Sequence, residues 1–479
     1  MAARESPDNL MDSYYRTLKV DVGGLSRQTR VKTMTMYVSV TGTQFRLYIP
    51  DVDEVVITPH DVYRSVGKLK MGKAAGLDQL TTEHLKHAYP GLYDILALLF
   101  SGMLQHGSVP DAFKTGVIVP IPKDRRGDLG DVANYRPICL NSALLKLFER
   151  ILIDKYGGYF QSSHCQFSYK AKVSTEDAVS SIKETVRYYN DEGSDVFCAF
   201  LDSSKAFDKV VHEEAFLELM CRGAPRRLLD IVESLLRGCT YRIRGGDECI
   251  RAVTGVKQGS VLSPLLFNLY MDNVSTYLVS RNLGCFYGKM YRGVTQYADD
   301  IVLSAPSPSA LQKMLDVFSI FSNDKDIVLN VSKSRVLVWG PRSARFYDHA
   351  FLYRGVLLPN CATVRFLGVE LCRGLSFRTK VDGKLHSFYR GSNSLLSRAG
   401  AAGIKSLPHL LFYLYKVHCL PILRYCNKVQ LDTLTRRDRA KIRIAHNSMV
   451  RRIFSLPRWE SVPEYYALDR FLEVSLQQV

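Results

Sequence analysis

RGVTQYADDIVLSA, residues 292–305, sets two adjacent carboxylates, Asp299 and Asp300, between two runs of strand-like residues. The pattern predicts a β-hairpin with an acidic tip. Two ionised carboxylates side by side repel each other, and a bound divalent cation relieves that repulsion. Mg²⁺ suits such a site, because it prefers oxygen and is commonly held by one or two carboxylates plus substrate phosphates. An acid pair alone also serves turns and solvated caps, so a third ligand decides the matter. VFCAFLDSSKAFDKVV, residues 196–211, supplies one. Val196 to Leu201 is apolar enough for a buried strand, and Asp202 at its end would project from the sheet into a cleft. One aspartate beside a hairpin bearing two can support a pair of metals, the arrangement that polarises the attacking and leaving oxygens of phosphoryl transfer. Taken singly, Asp202 would also suit the N-cap of a helix from Ser204.

Outward from these stretches, strands and helices interleave. Thr58-Pro59 opens a helix, with Thr58 as N-cap and Pro59 in the first turn. Helices are expected from Thr82 to Tyr89, Leu92 to His106, Ala143 to Lys155 and Leu262 to Val279. VIVPIPK (117–123), IVLSA (301–305) and RVLVWG (335–340) read as strands, the first ended by prolines. Together they describe an α+β fold with a sheet covered on one face. The first 57 residues hold the strand-like runs VKTMTMYVSV (31–40) and TQFRLYI (43–49), to which no chemistry attaches.

With 479 residues the chain is too long for one ordinary core. Its net charge is +17 at a pI near 9.3, which points to a polyanionic partner, either nucleic acid or an acidic membrane surface. The charge is concentrated. From Arg373 to Arg470 there are nineteen Lys/Arg against six Asp/Glu, so +13 of the +17 lies in this largely helical third. Leu434 to Phe454 places Ile442, Ala445, Met449 and Ile453 on one helical face, leaving many arginines elsewhere, as in a solvated face or one turned to nucleic acid. Eleven dispersed cysteines without a C-x-x-C pair, and a polar, acid-containing N-terminus, predict free thiols in a reducing compartment, nucleus or cytoplasm. The longest apolar stretch, Leu92 to Leu104, is too short to span a bilayer, so no membrane is expected.

In order along the chain, the segments KAAGLDQLTTEHLKH (73–87), VIVPIPK, NYRPICLNSALLKLFERIL (134–152), QFSYKAKVSTEDAV (166–179), FLDSSKAFD (200–208), GVKQGSVLSPLLFNLYMD (255–272), YADDIVLSA (297–305), LNVSKSRVLVWG (329–340) and VRFLGVEL (364–371) resemble the blocks of reverse transcriptases of non-long-terminal-repeat (LINE-like) retrotransposons. The resemblance runs from about Lys70 to Leu371 and more weakly to near Arg458. It implies a right-hand polymerase: fingers, a ferredoxin-like β-α-β-β-α-β palm and a mostly helical C-terminal thumb or connection. The corresponding division is an extension at 1–57, a helical lead-in at 58–100, a reverse transcriptase domain at 101–372 and a basic helical region at 373–479.

The resemblance also implies roles. Asp202 and Asp299 would bridge two Mg²⁺ ions, with Mn²⁺ a possible substitute, and Asp300 would support them. Lys123 and Arg136 would hold the triphosphate of a dNTP, as a point charge and a forked guanidinium can. Phe207 would crowd a ribose 2′-oxygen, while Gln258 and Gly259 would pack on nucleotide and template. Lys333 would donate a proton to pyrophosphate. Phe366, Leu367 and Gly368 would form a primer grip. Template RNA, a DNA primer and dNTPs are the implied partners. Each residue has a plainer alternative: surface cations for Lys123, Arg136 and Lys333, a core aromatic for Phe207, a turn for Gln258-Gly259, and a strand with a glycine bulge for 366–368.

The chain departs from the family pattern at Ser168 and Lys170, where Gly and Arg are usual. It shows no upstream endonuclease block and no zinc knuckle; His418, Cys419 and Cys426 lack the spacing for one. A catalytically silent RNA-binding remnant or domesticated copy is therefore the alternative function. An RNA-dependent RNA polymerase, a group II intron maturase and a peripheral membrane protein fit the motifs less well.

Overall fold

The computed structural model describes residues 55–463, except 126, 204–205, 247 and 347, together with the backbone of a strand pair, Thr33–Val40 with Thr43–Pro50. That pair matches the two strand-like runs of the N-terminal segment. Ser204, where the alternative reading of Asp202 as an N-cap would start a helix, and the end of the basic region beyond 463 lie outside the described residues. The chain divides into two compact units, one of residues 1–164, 203–274 and 321–328, the other of 165–202, 275–320 and 329–479.

In the first unit, Thr58 caps the helix Pro59–Lys68 through a reciprocal pair: its Oγ1 accepts from Asp61 N–H, and its own N–H donates to Asp61. The helix expected at 82–89 stops at Lys86, because Pro90 pushes the residue before it away from helical backbone. A four-stranded sheet runs in the order Tyr135–Leu140, Thr115–Pro122, Thr240–Ile243, Cys249–Arg251. The prolines do not end its second strand, which continues through Pro120 to Pro122. Beyond Ile118 that strand is paired on one side only, so the missing proline N–H groups cost no ladder bonds on the open side.

The second unit carries the sheet that bears Asp202 and Asp300. Its strand order is Val294–Tyr297, Asp300–Ala305, Val196–Asp202, Arg335–Trp339, every pair antiparallel. With the helices Ser263–Val279 and Pro308–Asp324 between strands in sequence, this is the order of a ferredoxin-like β-α-β-β-α-β arrangement. The expectation of a sheet covered on one face needs correction. Val196 to Leu201 are all buried. Val196, Cys198 and Phe200 join a core with Val179, Ile182 and Val186 of the helix Thr175–Asp191, while Phe197, on the other face, meets Phe346 and Phe351. A continuous apolar run, rather than an alternating one, is what two covered faces require.

A three-stranded sheet, Thr363–Phe366, Val369–Cys372 and Arg378–Lys380, packs into that same core through Val364, Phe366, Val369 and Leu371. A separate helical core follows, built from Asp382–Ala401, Pro408–His418, Leu420–Arg424 and Arg436–Phe454. In the last helix Ile442, Ala445, Met449 and Ile453 are buried as the spacing predicts, and Arg436, Arg437, Arg439, Arg443 and Arg452 are exposed. Cys419 and Cys426 are buried thiols. Among the described residues, no helix is long and apolar enough to cross a membrane.

Trp339 ties the two sheets of the second unit together. It is fully buried, its indole N–H donates to Cys372 O at 2.6 Å, and its ring stacks on Phe377 at 5.3 Å. Trp339→Ala should cost about 3–5 kcal/mol of stability through lost packing. Trp339→Phe should cost about 1–3 kcal/mol, through the lost indole hydrogen bond to Cys372 O and the smaller ring. Urea unfolding of the two variants checks both the values and their order.

Candidate active site

Antiparallel register decides which carboxylates meet. Tyr297 pairs with Asp300, leaving Ala298 and Asp299 as a two-residue turn, and Asp300 pairs directly with Asp202 on the next strand. Cross-strand partners point their side chains to the same face, about 4.5–5.5 Å apart at Cβ. Burial comes first among the causes that push the Asp300 carboxyl up to about 6, followed by the charges of Asp299 and Asp202. The three acids thus stand close enough to repel one another, and the stored repulsion favours a divalent cation. The three side chains brought together offer carboxylate oxygens, the donors a hard cation prefers. Among the described residues no three His, Cys, Asp or Glu side chains form a ready-made metal cage.

The acidic turn is held from outside. Ala298 adopts φ +57°, costly for a residue with a Cβ. Its N–H donates at 3.2 Å to Oε1 of Gln166, which also accepts from the N–H and hydroxyl of Ser168. Main-chain bonds Phe167 N to Gln296 O and Gln296 N to Cys165 O dock this segment on the hairpin edge. Gln166 is fully buried and is the residue that sequence reasoning missed here: QFSYK was legible as a block, but not as a brace. Ser168, which departs from the family pattern, completes that brace.

Asp202 is braced by its backbone. Its N–H donates to Ser334 Oγ at 3.2 Å, and its carbonyl accepts from Asn330 N at 2.8 Å. Ser334 Oγ in turn donates to Asn330 O. Lys333, exposed at the surface, sits in this very turn.

The remaining expected site residues form two groups. In the first unit, Phe207 lies on a short 3-10 turn, Ala206–Lys209, and stacks on the fully buried Phe267 with ring centroids 4.1 Å apart and planes 12° apart. Gln258 donates its side-chain amide N–H to Asp208 Oδ1 at 2.8 Å, and its main-chain carbonyl accepts from Cys139 N. Gly259, at φ +120°, lies so near the Cys139 carbonyl that a Cβ would come within 2.4 Å of it, so only glycine fits. A second missed residue holds this turn. Glu149, wholly buried, accepts from Ser260 Oγ at 2.6 Å and from Val261 N at 2.7 Å. Its signal was a lone acid beside Phe148 and Leu152 on the apolar face of the helix Ala143–Tyr156. Lys123 and Arg136 are exposed at one end of the 115–140 strand pair, where Arg136 is opposite Ile121.

Phe366, Leu367 and Gly368 form the other group, in the second unit. Phe366 pairs with Val369 across a tight turn whose central residues, Leu367 and Gly368, both have positive φ, at 45° and 79°. This is a two-residue hairpin rather than a bulged strand.

Asp300 offers a direct test. With a folded pKa near 6, above the ordinary carboxylate value, the folded state binds the extra proton between those two pH values. Stability should therefore fall as pH rises through that window. Asp300→Asn should raise the Tm of metal-free protein more at pH 8 than at pH 5. Equal gains at both would deny the electrostatic coupling.

With the geometry in place, likeness to known proteins is informative. The family description "Reverse transcriptase (RNA-dependent DNA polymerase)" matches residues 121–371. "RNA-directed DNA polymerase from mobile element jockey" of Drosophila funebris is 26% identical over 449 residues, covering 91% of this chain and 47% of that protein. A Pol polyprotein from type-1 retrotransposable element R2 of Nasonia vitripennis is 30% identical over 245 residues, covering 50% of this chain and 23% of that protein. The chain spans about half the length, or less, of these relatives. A truncated apo telomerase from Candida tropicalis aligns at a TM-score of 0.40 and 12% identity over 61% of this chain and 60% of that one. The matched stretch takes in the acidic hairpin, the Asp202 strand and the Gln258 turn, and the chain belongs to the reverse transcriptase family.

Proposed function

We propose that the chain is an RNA-directed DNA polymerase of non-LTR retrotransposon origin, extending a DNA primer with dNTPs on an RNA template. The observation that carries this reading is the pairing of Asp202 with Asp300 beside a turn bearing Asp299. Asp202 and Asp299 are the residues to hold two Mg²⁺ or Mn²⁺ ions, with Asp300 in support. Bound there, the ions would acidify the primer 3′-hydroxyl and neutralise charge on the triphosphate and the leaving pyrophosphate.

The protein's own side chains do the rest by alignment. Lys123 and Arg136 reach for phosphate oxygens. The Phe207 ring, braced by Phe267, occupies the space a ribose 2′-hydroxyl needs. Gly259 lets a nucleotide approach the backbone, while Asp208 orients the Gln258 amide. Lys333, in the turn that braces Asp202, supplies a proton to the departing pyrophosphate. The 366–368 turn seats the primer end, and the arginine-bearing face of Arg436–Phe454 follows the duplex backbone. On this reading 58–100 leads into the fingers, 101–372 is the polymerase domain and 373–479 the thumb.

The test is primer extension on an RNA template with Mg²⁺ and with EDTA. Extension should require the metal and fall by at least about 100-fold in the Asp299→Asn/Asp300→Asn variant. Folded chain that binds the duplex without extending it would instead indicate the silent RNA-binding remnant. Phe207→Val should raise NTP use relative to dNTP by about 10- to 200-fold, as expected when a pocket stops excluding one small group. An unchanged ratio would return Phe207 to a packing role.

A further inference from the structure

Leu367 and Gly368 sit at the tip of a hairpin, with backbone conformations that need outside support. One side chain provides it. Tyr425, between the helices Leu420–Arg424 and Asn427–Thr433, donates its hydroxyl to Leu367 O at 2.7 Å. The same oxygen lies 3.0 Å from Thr175 Oγ1, at the first residue of the helix Thr175–Asp191. A phenol has one proton, so with that proton on Leu367 O the oxygen accepts from Thr175. The ring also lies along the turn: a Cβ added to Gly368 would come 3.1 Å from Tyr425 Cε1.

Tyr425 is itself fixed. Its carbonyl accepts from Lys384 Nζ at 2.7 Å, and its N–H donates to Pro421 O at 3.0 Å. Lys384 Nζ also donates to Leu423 O and to the Gln430 side chain. Cys426, next in the chain, is buried at φ +54°. Lys428 N–H donates to Glu176 on the helix that Thr175 begins. That helix packs through Val179, Ile182 and Val186 on the strand that ends in Asp202. A continuous line of contacts therefore runs from the catalytic strand, through the helix and Tyr425, to the turn.

We propose that Tyr425 is a positioning residue for the primer terminus, referencing the Leu367-Gly368 turn to the strand that carries Asp202. The proposal rests on reading that turn as the primer grip. A phenol hydroxyl is the right group: it reaches a main-chain carbonyl without adding charge near the primer backbone, and the rigid ring fixes the distance.

The experiment is single-turnover primer extension with Tyr425→Phe, Thr175→Val, their double variant and Gly368→Ala. Duplex affinity and Tm are measured alongside. Loss of one neutral hydrogen bond should slow the extension rate per active site about 2- to 10-fold in Tyr425→Phe, with duplex affinity, burst amplitude and Tm little changed. Thr175→Val should lose less, and the double variant should be no slower than Tyr425→Phe alone. A fall in burst amplitude at an unchanged rate would mean that Tyr425 only supports folding, and would overturn the proposal. So would an unchanged Tyr425→Phe beside a slowed Gly368→Ala, which leaves the grip reading standing. If Gly368→Ala also extends normally, the grip reading itself fails and the proposal goes with it.

Discussion

Two carboxylates facing each other across adjacent strands are an unfavourable arrangement, and much of the second unit exists to maintain it. Asp202 and Asp300 are paired by register, so neither can move off without breaking the ladder that holds it. The ladder is secured by burial on both faces of Val196–Asp202 and by strands on either side. Gln166 fixes the turn that carries Asp299, while Asn330 and Ser334 fix the backbone of Asp202. Burial first, and then the charges of Asp299 and Asp202, raise the pKa of Asp300, and a divalent cation placed among these carboxylates would relieve the repulsive part.

The residues proposed to face the nucleotide follow a different logic. Phe207, Gln258 and Gly259 are each immobilised by a neighbour with no expected contact to substrate: Phe267, Asp208 and the Cys139 backbone. Glu149 completes the set with a buried carboxylate spent on one hydroxyl and one N–H. Burying an acid is costly unless its lone pairs are used, and here they are used to shape a turn. Alignment of this kind is what a reaction that depends on positioning requires.

Much of this was legible from sequence because it is local. Period and caps located the helix after Thr58, the strand ending at Asp202 and the buried face of Arg436–Phe454. The acidic hairpin followed from two strand-like runs around Asp299-Asp300. What escaped was long-range. Nothing in QFSYK says that Gln166 will accept from Ala298, over a hundred residues later, and nothing around Glu149 names Ser260 as its partner. The covered second face of the sheet was misjudged because a short apolar run is compatible with one covered face or two. The helix Thr82–Lys86 is shorter than its sequence pattern suggests, because Pro90 disfavours helical backbone in the residue before it.

The central strand has a further consequence, for assembly in time. Val196–Asp202 finds its partners at 300–305 and at 335–339, so the sheet cannot close until those later segments have been synthesised. A chain emerging from the ribosome holds an apolar, two-sided strand without its strand neighbours for roughly a hundred residues of elongation, from Asp202 to its partner Asp300. Such a topology folds slowly and exposes sticky intermediates. The feature that holds the paired carboxylates in place in the finished protein is thus the one that makes the nascent chain most dependent on protection while it is being made.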